Sequence, residues 1–337
     1  DNYHKYSPVD GYLDLKKSIC KKFKRDNNLD YDVDQIVVST GAKQSIANVC
    51  MSLINKGDEV LIPTPYWVSY SAMVALAEGV PVFINPDEDS NYKITAQQLE
   101  SAITDKTKML MLNSPNNPSG SVFTEQEYLE FSKVLSKYPN IIIVSDEIYE
   151  HINYGVKSVS FASLPGMFDR TVTVNGISKA YAMTGWRIGY LGAPKVIAKA
   201  CNKMQGQITS GANCIAQRAT IKALEESPEK IQYMVDEFKI RRDFIIDLVT
   251  KINGFNIKQP PMGAFYIFPD ISELFGKTFK GITIDDANDL SMLILEKAHV
   301  ATVPGDAFGY PNCIRISYSA SREQIEEAIK RIKDLLS

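Results

Sequence analysis

The sequence predicts an α/β protein in which a mostly parallel, seven-stranded sheet lies between helices and is followed by a smaller α+β region. Short β-branched runs alternate with helix-period segments through the first two thirds of the chain, as in parallel strands joined by helices. A cluster of glycine and proline residues then interrupts this pattern. At 337 residues and 45% hydrophobic content, the chain is long enough for two domains with buried cores.

Seven apolar runs of strand length account for the predicted sheet. They lie at Ile36–Ser39, Glu59–Ile62, Pro81–Ile84, Met109–Asn113, Ile141–Ser145, Thr171–Val174 and Ile188–Leu191. We expect all seven to pair in one sheet.

Helices are predicted where apolar residues recur at a spacing near 3.6. Two such patterns would cover the sheet. The first, after Gly11, consists of Leu13, Leu15, Ile19 and Phe23. The second, before Gly57, consists of Ile46, Val49, Leu53 and Ile54. A longer, charged helix pattern runs from Pro228 to about Lys251.

We predict a large domain over residues 1–235 and a small C-terminal domain over residues 236–337. Within the second, regular periodicity is interrupted at Gly254, Pro260, Pro261 and Gly263. Beyond this interruption, strands are predicted at Phe265–Phe268, Val300–Val303 and Ile314–Tyr318, and an amphipathic closing helix at Ile325–Leu336.

The composition favours a small-molecule partner. Lys and Arg total 37 against 40 Asp and Glu without a long run of either sign, so neither a nucleic-acid nor a membrane-surface field is indicated. The apolar runs fall far short of the roughly 20 residues of a membrane span. Five cysteines without CxxC spacing favour a reducing cytoplasm, and His4, His151 and His299 are too scattered to predict a metal site.

Polar residues gather where predicted strands end, which is where open α/β sheets bind ligands. The glycine motifs GxGxxG after the first strand and GxxxxGK[ST] are both absent from the sequence. The first group of polar residues at a strand end is Asn113–Gly120, a turn rich in proline and asparagine from which Asn117 can point its amide inward. By itself, this segment could equally be an ordinary surface loop.

Asp146 closes the apolar run that begins at Ile141, and Tyr149 follows three residues later. A carboxylate at the end of a buried strand needs a cationic partner. A protonated pyridine nitrogen would supply one, but a structural ion pair or a helix N-cap would also account for this residue.

Lys179 follows one predicted strand, and Arg187 precedes the next. Lysine forms an imine with an aldehyde once its pKa is lowered, and the planar guanidinium of arginine suits a phosphate. For either residue alone, the simpler interpretation is a solvated surface charge.

Arg315 alternates with apolar residues in the predicted strand Ile314–Tyr318. An arginine in such a strand needs an anion. The carboxylate of a substrate and an internal Asp or Glu both remain open as partners.

These residues together resemble the class I aminotransferases, which are fold-type I enzymes that depend on pyridoxal 5'-phosphate (PLP). The matching strings are Asn117-Pro118-Ser119-Gly120, Asp146-Glu147-Ile148-Tyr149, Ser178-Lys179 with Arg187, and Arg315, and they occur in family order across nearly the whole chain. The strings Gly41-Ala42-Lys43-Gln44, Pro65–Tyr70 and Met183–Arg187 are similar to bacterial aspartate aminotransferases of subgroup Ib, some of which also accept prephenate.

The resemblance implies a role for each cofactor residue. Lys179 would hold PLP as a Schiff base and shuttle the proton, and Asp146 would pair with the pyridine nitrogen. Asn117 and Tyr149 would contact the phenolic oxygen, and Arg187 the phosphate. Trp67 would stack on the ring. The helix start at Gly41, Ala42 and Lys43 would also contact the cofactor. Tyr6 would reach the phosphate of the neighbouring subunit, so the enzyme would be a homodimer.

The resemblance also implies the reaction, which is transfer of the amino group from L-aspartate to 2-oxoglutarate. Arg315 would bind the α-carboxylate and Lys43 the distal carboxylate, with Asn117 and Trp67 beside the substrate. An aromatic or other class I aminotransferase, or a carbon–sulfur lyase, would use the same cofactor residues. A PLP-binding regulator without turnover would carry a DNA-binding extension, and a nicotinamide oxidoreductase would carry the missing glycine motif.

Two positions depart from the family pattern. Gly176 stands where many relatives place a phosphate-binding serine, so we expect one phosphate contact to be lost. The family also has an N-terminal segment of several dozen residues with a substrate-side glycine, and the first residues of this sequence do not correspond to it. The chain therefore reads as beginning within a protein, with an incomplete set of site residues.

Overall fold

The computed structural model describes residues 3–87 and 90–337. Its main feature is a seven-stranded sheet formed by β1 (Ile36–Ser39), β2 (Glu59–Pro63), β3 (Val80–Ile84), β4 (Thr107–Asn113), β5 (Ile142–Asp146), β6 (Thr171–Gly176) and β7 (Gly189–Gly192). The strand order is β1-β7-β6-β5-β4-β2-β3. All neighbours run parallel except β7, which is antiparallel to both β1 and β6.

Helices cover both faces of this sheet. The helices that pack with the sheet are α1 (Leu13–Asn27), α2 (Ala42–Leu53), α3 (Ser69–Leu76), α4 (Ala96–Ala102), α5 (Glu125–Leu135), α6 (Lys195–Ile208) and α7 (Cys214–Glu225), whereas α8 (Gln232–Val249), α9 (Ala287–Leu293) and α10 (Arg322–Leu335) pack in the C-terminal region. Apolar side chains of the central strands alternate between two core clusters, so that Met109 and Met111 of β4 pack on one face and Leu110 and Leu112 on the other.

The predicted α/β class and the seven-stranded sheet are confirmed, and most boundaries differ by one or two residues. The sheet is mostly parallel because helices connect most of its strands, whereas β6 and β7 are joined by the loop 177–188, which contains only a 3-10 turn at Thr184–Trp186, and pair antiparallel. This exception brings both ends of that loop to the same edge of the sheet.

The C-terminal region holds a three-stranded antiparallel sheet of β8 (Tyr266–Ile267), β11 (Val303–Pro304) and β12 (Ile314–Ser317). The strand predicted at Val300–Val303 pairs only from Val303, because His299, with φ 55°, turns the chain out of the preceding helix and leaves residues 300–302 irregular. A short hairpin of β9 (Thr278–Phe279) and β10 (Ile282–Thr283) was not predicted.

One hydrophobic core cluster joins this region to residues 148–154 and includes Val235, Ile245 and Val249 of α8. The long helix therefore packs with the C-terminal core. The division at residues 235 and 236 stays a prediction. Within residues 3–87 and 90–337, no helix combines the length and apolar character that crossing a membrane requires.

Candidate active site

The ends of five strands meet at one edge of the sheet. Pairing places Asn113 beside Asp146, and Gly176 beside Gly189, where β7 begins. Ser39, the last residue of β1, also pairs with Gly189, so α2 starts at this edge. The topology therefore brings the Asn113–Gly120 turn, the Asp146–Tyr149 turn, the Lys179–Arg187 loop and the start of α2 together, whereas Arg315 comes from β12 of the C-terminal sheet.

A cavity of about 350 Å³ opens at this edge. Nine of the predicted residues line it: Ala42, Lys43, Trp67, Asn117, Asp146, Tyr149, Lys179, Arg187 and Arg315. Gly41 lies directly behind, since a Cβ atom on it would be 2.4 Å from Nη2 of Arg187. Tyr6 does not line the cavity and is 98% exposed.

Asp146 lies at the bottom of the cavity and is buried. One of its carboxylate oxygens accepts a hydrogen bond from the Tyr70 hydroxyl at 2.6 Å, and the other accepts one from the Ile148 N–H group at 3.2 Å. Burial raises the pKa of Asp146 to about 6, although Tyr70, Ile148 and Lys179 each lower it. A cation placed against this carboxylate would stabilise its ionised form.

Lys179 is half-buried, and its Nζ lies 5.7 Å and 5.6 Å from the ring centroids of Tyr149 and Phe265. Burial lowers the pKa of this amine; Asp146 opposes that shift, and the cations Arg315 and Arg187 add to it. A second cavity of about 470 Å³, which Phe238 also lines, adjoins Lys179. The lysine is therefore accessible to a carbonyl compound and is shifted towards its nucleophilic neutral form.

Four basic side chains of the cavity form no ion pair with the described carboxylates. Within the described ranges, no carboxylate oxygen lies within 4.0 Å of the side-chain nitrogens of Lys43, Lys179, Arg187 or Arg315. Lys43 instead lies 5.0 Å from the Trp67 ring centroid. With one buried carboxylate against the cations Lys43, Arg187 and Arg315 and the amine of Lys179, the cavity is suited to a ligand that carries several negative charges.

Arg187 is held in an uncommon backbone conformation, with φ 57° in the left-handed region. Its Nη1 donates to the Thr184 carbonyl oxygen at 3.0 Å. Gly189 allows the start of α2 to approach, since a Cβ atom there would lie 2.1 Å from the Ala42 nitrogen. The guanidinium group consequently lies beside the N-terminus of α2, where backbone N–H groups favour an anion.

Arg315 and Tyr149 are linked to other residues of the cavity. Nη1 of Arg315 donates to Oδ1 of Asn117 at 2.8 Å. The hydroxyl groups of Tyr149 and Tyr266 are hydrogen-bonded at 2.9 Å. Burial raises the pKa of Tyr149 well above its ordinary value, so its hydroxyl keeps a proton to donate.

Sequence reasoning assigned no role to three residues of this site, Tyr70, Asn113 and Tyr266, although Asn113 and Tyr70 lie within segments that it singled out. The Asn113 amide donates to the Asp146 carbonyl oxygen at 3.0 Å, and its Oδ1 accepts from the Asn117 N–H group at 2.9 Å. The end of a buried strand was a usable signal for Asn113. Both tyrosines lie in apolar patterns and carry no signal that separates them from core residues.

Gly176 has little space for a side chain. A Cβ atom there would lie 2.9 Å from the Ile188 carbonyl oxygen and 3.0 Å from the Gly189 Cα. The local backbone would have to shift to admit a serine. The missing phosphate contact stays a prediction.

Behind the turn that carries Asp146 and Tyr149 lies a buried polar cluster of Lys22, Asn27, Glu147 and Glu150, which sequence reasoning missed. Lys22 forms an ion pair with Glu150 and donates to Oδ1 of Asn27 at 2.6 Å. Asn27 donates to Glu150 at 2.6 Å and to Glu147 at 3.3 Å. Helix α1 is thereby bonded to the turn.

The two carboxyl groups of this cluster differ in charge state. Burial raises the pKa of both, but for Glu150 the Lys22 ammonium, together with His151 and a hydrogen bond from Asn27, outweighs burial and brings the pKa to about 2. The pKa of Glu147 is raised by burial and by Glu150 to about 7, against hydrogen bonds from Ser160 and Ser145. Glu150 also lies near Asp26 and His151, in a group spaced as metal ligands could be, but Lys22 already provides a cation there.

The architecture and the position of the site define a fold-type I transferase. A model of the family described as aminotransferase class I and II matches residues 1–332, and the chain belongs to this family.

Individual relatives agree with this assignment. A probable aspartate/prephenate aminotransferase of Rickettsia prowazekii is 46% identical over 336 residues, 99% of this chain and 84% of that protein. A bifunctional aspartate aminotransferase and glutamate/aspartate-prephenate aminotransferase of Petunia hybrida is 45% identical over 341 residues, 100% of this chain and 71% of that protein. The crystal structure of the aspartate aminotransferase from Rhizobium meliloti superposes with a TM-score of 0.95 at 44% identity, covering 100% of this chain and 85% of that one.

Proposed function

We propose that this protein is a PLP-dependent aspartate aminotransferase that converts L-aspartate and 2-oxoglutarate into oxaloacetate and L-glutamate. The observation that carries the proposal is that three cations, Lys43, Arg187 and Arg315, surround one cavity beside the amine of Lys179 and form no ion pair with any described carboxylate. A phosphate and the two carboxylates of a dicarboxylic amino acid would supply the anions. The names of the relatives support the same substrates.

The residues present fit PLP. Space beside Arg187 is kept by Gly41, which has φ 84° and no Cβ atom, at the N-terminus of α2. Asp146 is buried with a hydroxyl and an N–H group as hydrogen-bond partners, which leaves it to be neutralised by a protonated ring nitrogen. Lys179, with its lowered pKa, would hold the aldehyde.

Bound PLP supplies an electron sink for the pair released when the α-proton of the amino acid is removed. Asp146 would keep the ring nitrogen protonated, and Tyr149 would donate a hydrogen bond to the phenolic oxygen. Asn117, whose Oδ1 is taken by Arg315, has its amide N–H groups left to donate to the same oxygen. The amine of Lys179, when free beside the α-carbon of the substrate, would move the proton at that carbon.

The two ends of the substrate are assigned to different cations. Arg315 presents a planar guanidinium to the α-carboxylate, and Lys43, on the first turn of α2 beside Trp67, presents a flexible point charge to the distal carboxylate. A flexible cation can also withdraw from substrates without a distal charge. Prephenate, which is itself a dicarboxylate, is therefore included as an acceptor.

A panel of keto acids with aspartate or glutamate as the amino donor tests the reaction. We expect 2-oxoglutarate and oxaloacetate to be the preferred acceptors and prephenate to be used. Preference for aromatic keto acids, or release of a sulfur compound from a cysteine conjugate, would contradict the assignment and favour one of the other activities of this scaffold.

Borohydride reduction tests the role of Lys179. Purified protein with PLP should be yellow, and reduction followed by peptide mass spectrometry should place the label on Lys179. The Lys179→Ala variant, which keeps the other cofactor contacts, is the matched control and should remain unlabelled. A label on another lysine would contradict the role of Lys179.

The proposal includes a cytoplasmic homodimer in which Tyr6 reaches the phosphate site of the partner. Support comes from Ser7, which donates to the Ala212 carbonyl oxygen at 3.3 Å and fixes a segment whose neighbouring Tyr6 is 98% exposed. The five cysteines are all unpaired, which suits a reducing compartment. Mixing inactive Lys179→Ala and Tyr6→Phe subunits should restore activity after exchange, because one site per heterodimer then has both residues. Confirmed exchange without recovery would contradict a shared site.

A further inference from the structure

Tyr266 contacts two residues of the site described above, Tyr149 and Arg315. Its side chain is buried at 6% exposure on β8, next to β12, which carries Arg315. Its hydroxyl is 2.9 Å from that of Tyr149, and its ring centroid is 4.6 Å from Cζ of Arg315. We propose that Tyr266 is a positioning residue that orients Tyr149 through its hydroxyl and Arg315 through its ring. This rests on the function proposed above.

The proposed function determines which of the two hydroxyl groups donates the hydrogen bond between Tyr149 and Tyr266. A tyrosine hydroxyl has a single proton to donate. If Tyr149 donates to the oxygen of the cofactor, the proton shared with Tyr266 must come from Tyr266. Burial raises the pKa of both tyrosines, so both protons are present at neutral pH. Successive hydrogen bonds of this kind polarise one another, and Tyr266 therefore strengthens the bond that Tyr149 donates.

The ring contact fixes the guanidinium group of Arg315. Cζ of Arg315 lies 4.6 Å from the Tyr266 ring centroid and 4.9 Å from that of Phe308, and Nη1 is bonded to Asn117. These contacts hold the group without an anion and leave its other N–H groups available to a carboxylate. Removing the Tyr266 ring should therefore weaken carboxylate binding.

A purely structural role makes a different prediction. Tyr266 belongs to the C-terminal core cluster. In a purely structural role its ring would only fill space there, and loss of its hydroxyl would affect the cofactor no more than loss of any other hydroxyl of that core. Tyr154 lies in the same cluster, and its hydroxyl donates to the Ala264 carbonyl oxygen. Tyr154→Phe is therefore a matched control, because it removes a buried hydroxyl of this core that touches neither Tyr149 nor Arg315.

The experiment compares Tyr266→Phe, Tyr266→Leu and Tyr154→Phe as holoenzymes with PLP. A hydrogen bond donated to the ring oxygen lowers the pKa of the nitrogen that attaches the cofactor to Lys179, so loss of the Tyr266 hydroxyl should raise that pKa. We expect titration of the visible absorbance to show an increase of about half a unit or more in Tyr266→Phe, roughly a threefold change in the equilibrium. The control should titrate like wild type.

Binding of succinate, a dicarboxylate without an amino group, reports on Arg315. Tyr266→Phe should bind it like wild type, and Tyr266→Leu about tenfold more weakly, a loss typical of a desolvated cation–π contact. In a Tyr149→Phe background, Tyr266→Phe should cause no further shift of the chromophore pKa, because its hydroxyl acts through Tyr149.

An unchanged chromophore pKa in Tyr266→Phe, a shift of equal size in Tyr154→Phe, or undiminished succinate binding in Tyr266→Leu would each overturn the proposal. If Tyr266→Leu fails to fold, the titration of Tyr266→Phe still decides it. Wild-type protein that binds no PLP at Lys179 would instead refute the proposed function, and this outcome is seen before any variant is compared.

Discussion

Replacing Lys22 by methionine would leave a carboxylate buried without its cation. Lys22 is 1% exposed and forms an ion pair with Glu150, whose pKa lies at about 2 instead of its ordinary 4.5. At about 1.4 kcal/mol per pKa unit, this difference corresponds to about 3 kcal/mol of stability. Because the folded-state pKa is depressed, that stability is present above about pH 4.5 and is lost as the pH falls towards 2.

The expected loss in Lys22→Met is about 3–5 kcal/mol at pH 7, the range found when one partner of a buried ion pair is removed. Without Lys22, burial would raise the pKa of Glu150, as it does for Glu147, so the deficit should be larger at pH 8 than at pH 5. Urea unfolding followed by circular dichroism at both values measures it. The double variant Lys22→Met/Glu150→Gln is the control and should recover most of the loss. A single variant within about 1 kcal/mol of wild type, or a double variant no more stable than the single one, would refute this reasoning.

Three further changes test other parts of the structure. The pKa of Glu147 is raised to about 7, so its ionisation disfavours the folded state. The Glu147→Gln variant should therefore gain about 3 kcal/mol of stability relative to wild type as the pH rises from 4.5 to 7. A difference in urea midpoint that does not change with pH would contradict this. Gly41→Ala should weaken PLP binding about tenfold or more in an absorbance titration. The added Cβ atom would lie 2.4 Å from Nη2 of Arg187, and the φ of +84° is unfavourable for alanine. Unchanged affinity would show that this space is not needed. Lys43→Ala should lower kcat/KM for aspartate and 2-oxoglutarate much more than for an aromatic donor, whereas an equal loss for all donors would make Lys43 a cofactor or structural residue.

The parts of the site that sequence reasoning found are those governed by local pattern. Asp146 ends an apolar strand, and Lys179 and Arg187 flank two others, so the rule that ligands bind at strand ends made them candidates, and the family resemblance then gave each a role. The sheet was predicted for the same reason, since apolar runs alternating with helical periods determine its class.

The missed residues depend on contacts between distant parts of the chain. Tyr266 meets Tyr149 across 117 positions, and Lys22 meets Glu150 across 128. In sequence, Tyr266 lies in an apolar strand pattern, and Lys22 lies in a helix with many charged residues. Such patterns cannot distinguish a tyrosine that touches a ligand from one that fills the core, nor a buried lysine from a solvated one.

The loop 177–188 joins two strand positions that are fixed against each other, Gly176 and Gly189. It carries Lys179 near one end and Arg187 near the other, so the groups assigned to the aldehyde and the phosphate share one connection. An insertion or deletion in this loop would move one group relative to the other while the sheet stayed intact. The length of this connection therefore has to match the distance between the two groups of the ligand that Lys179 and Arg187 are proposed to hold.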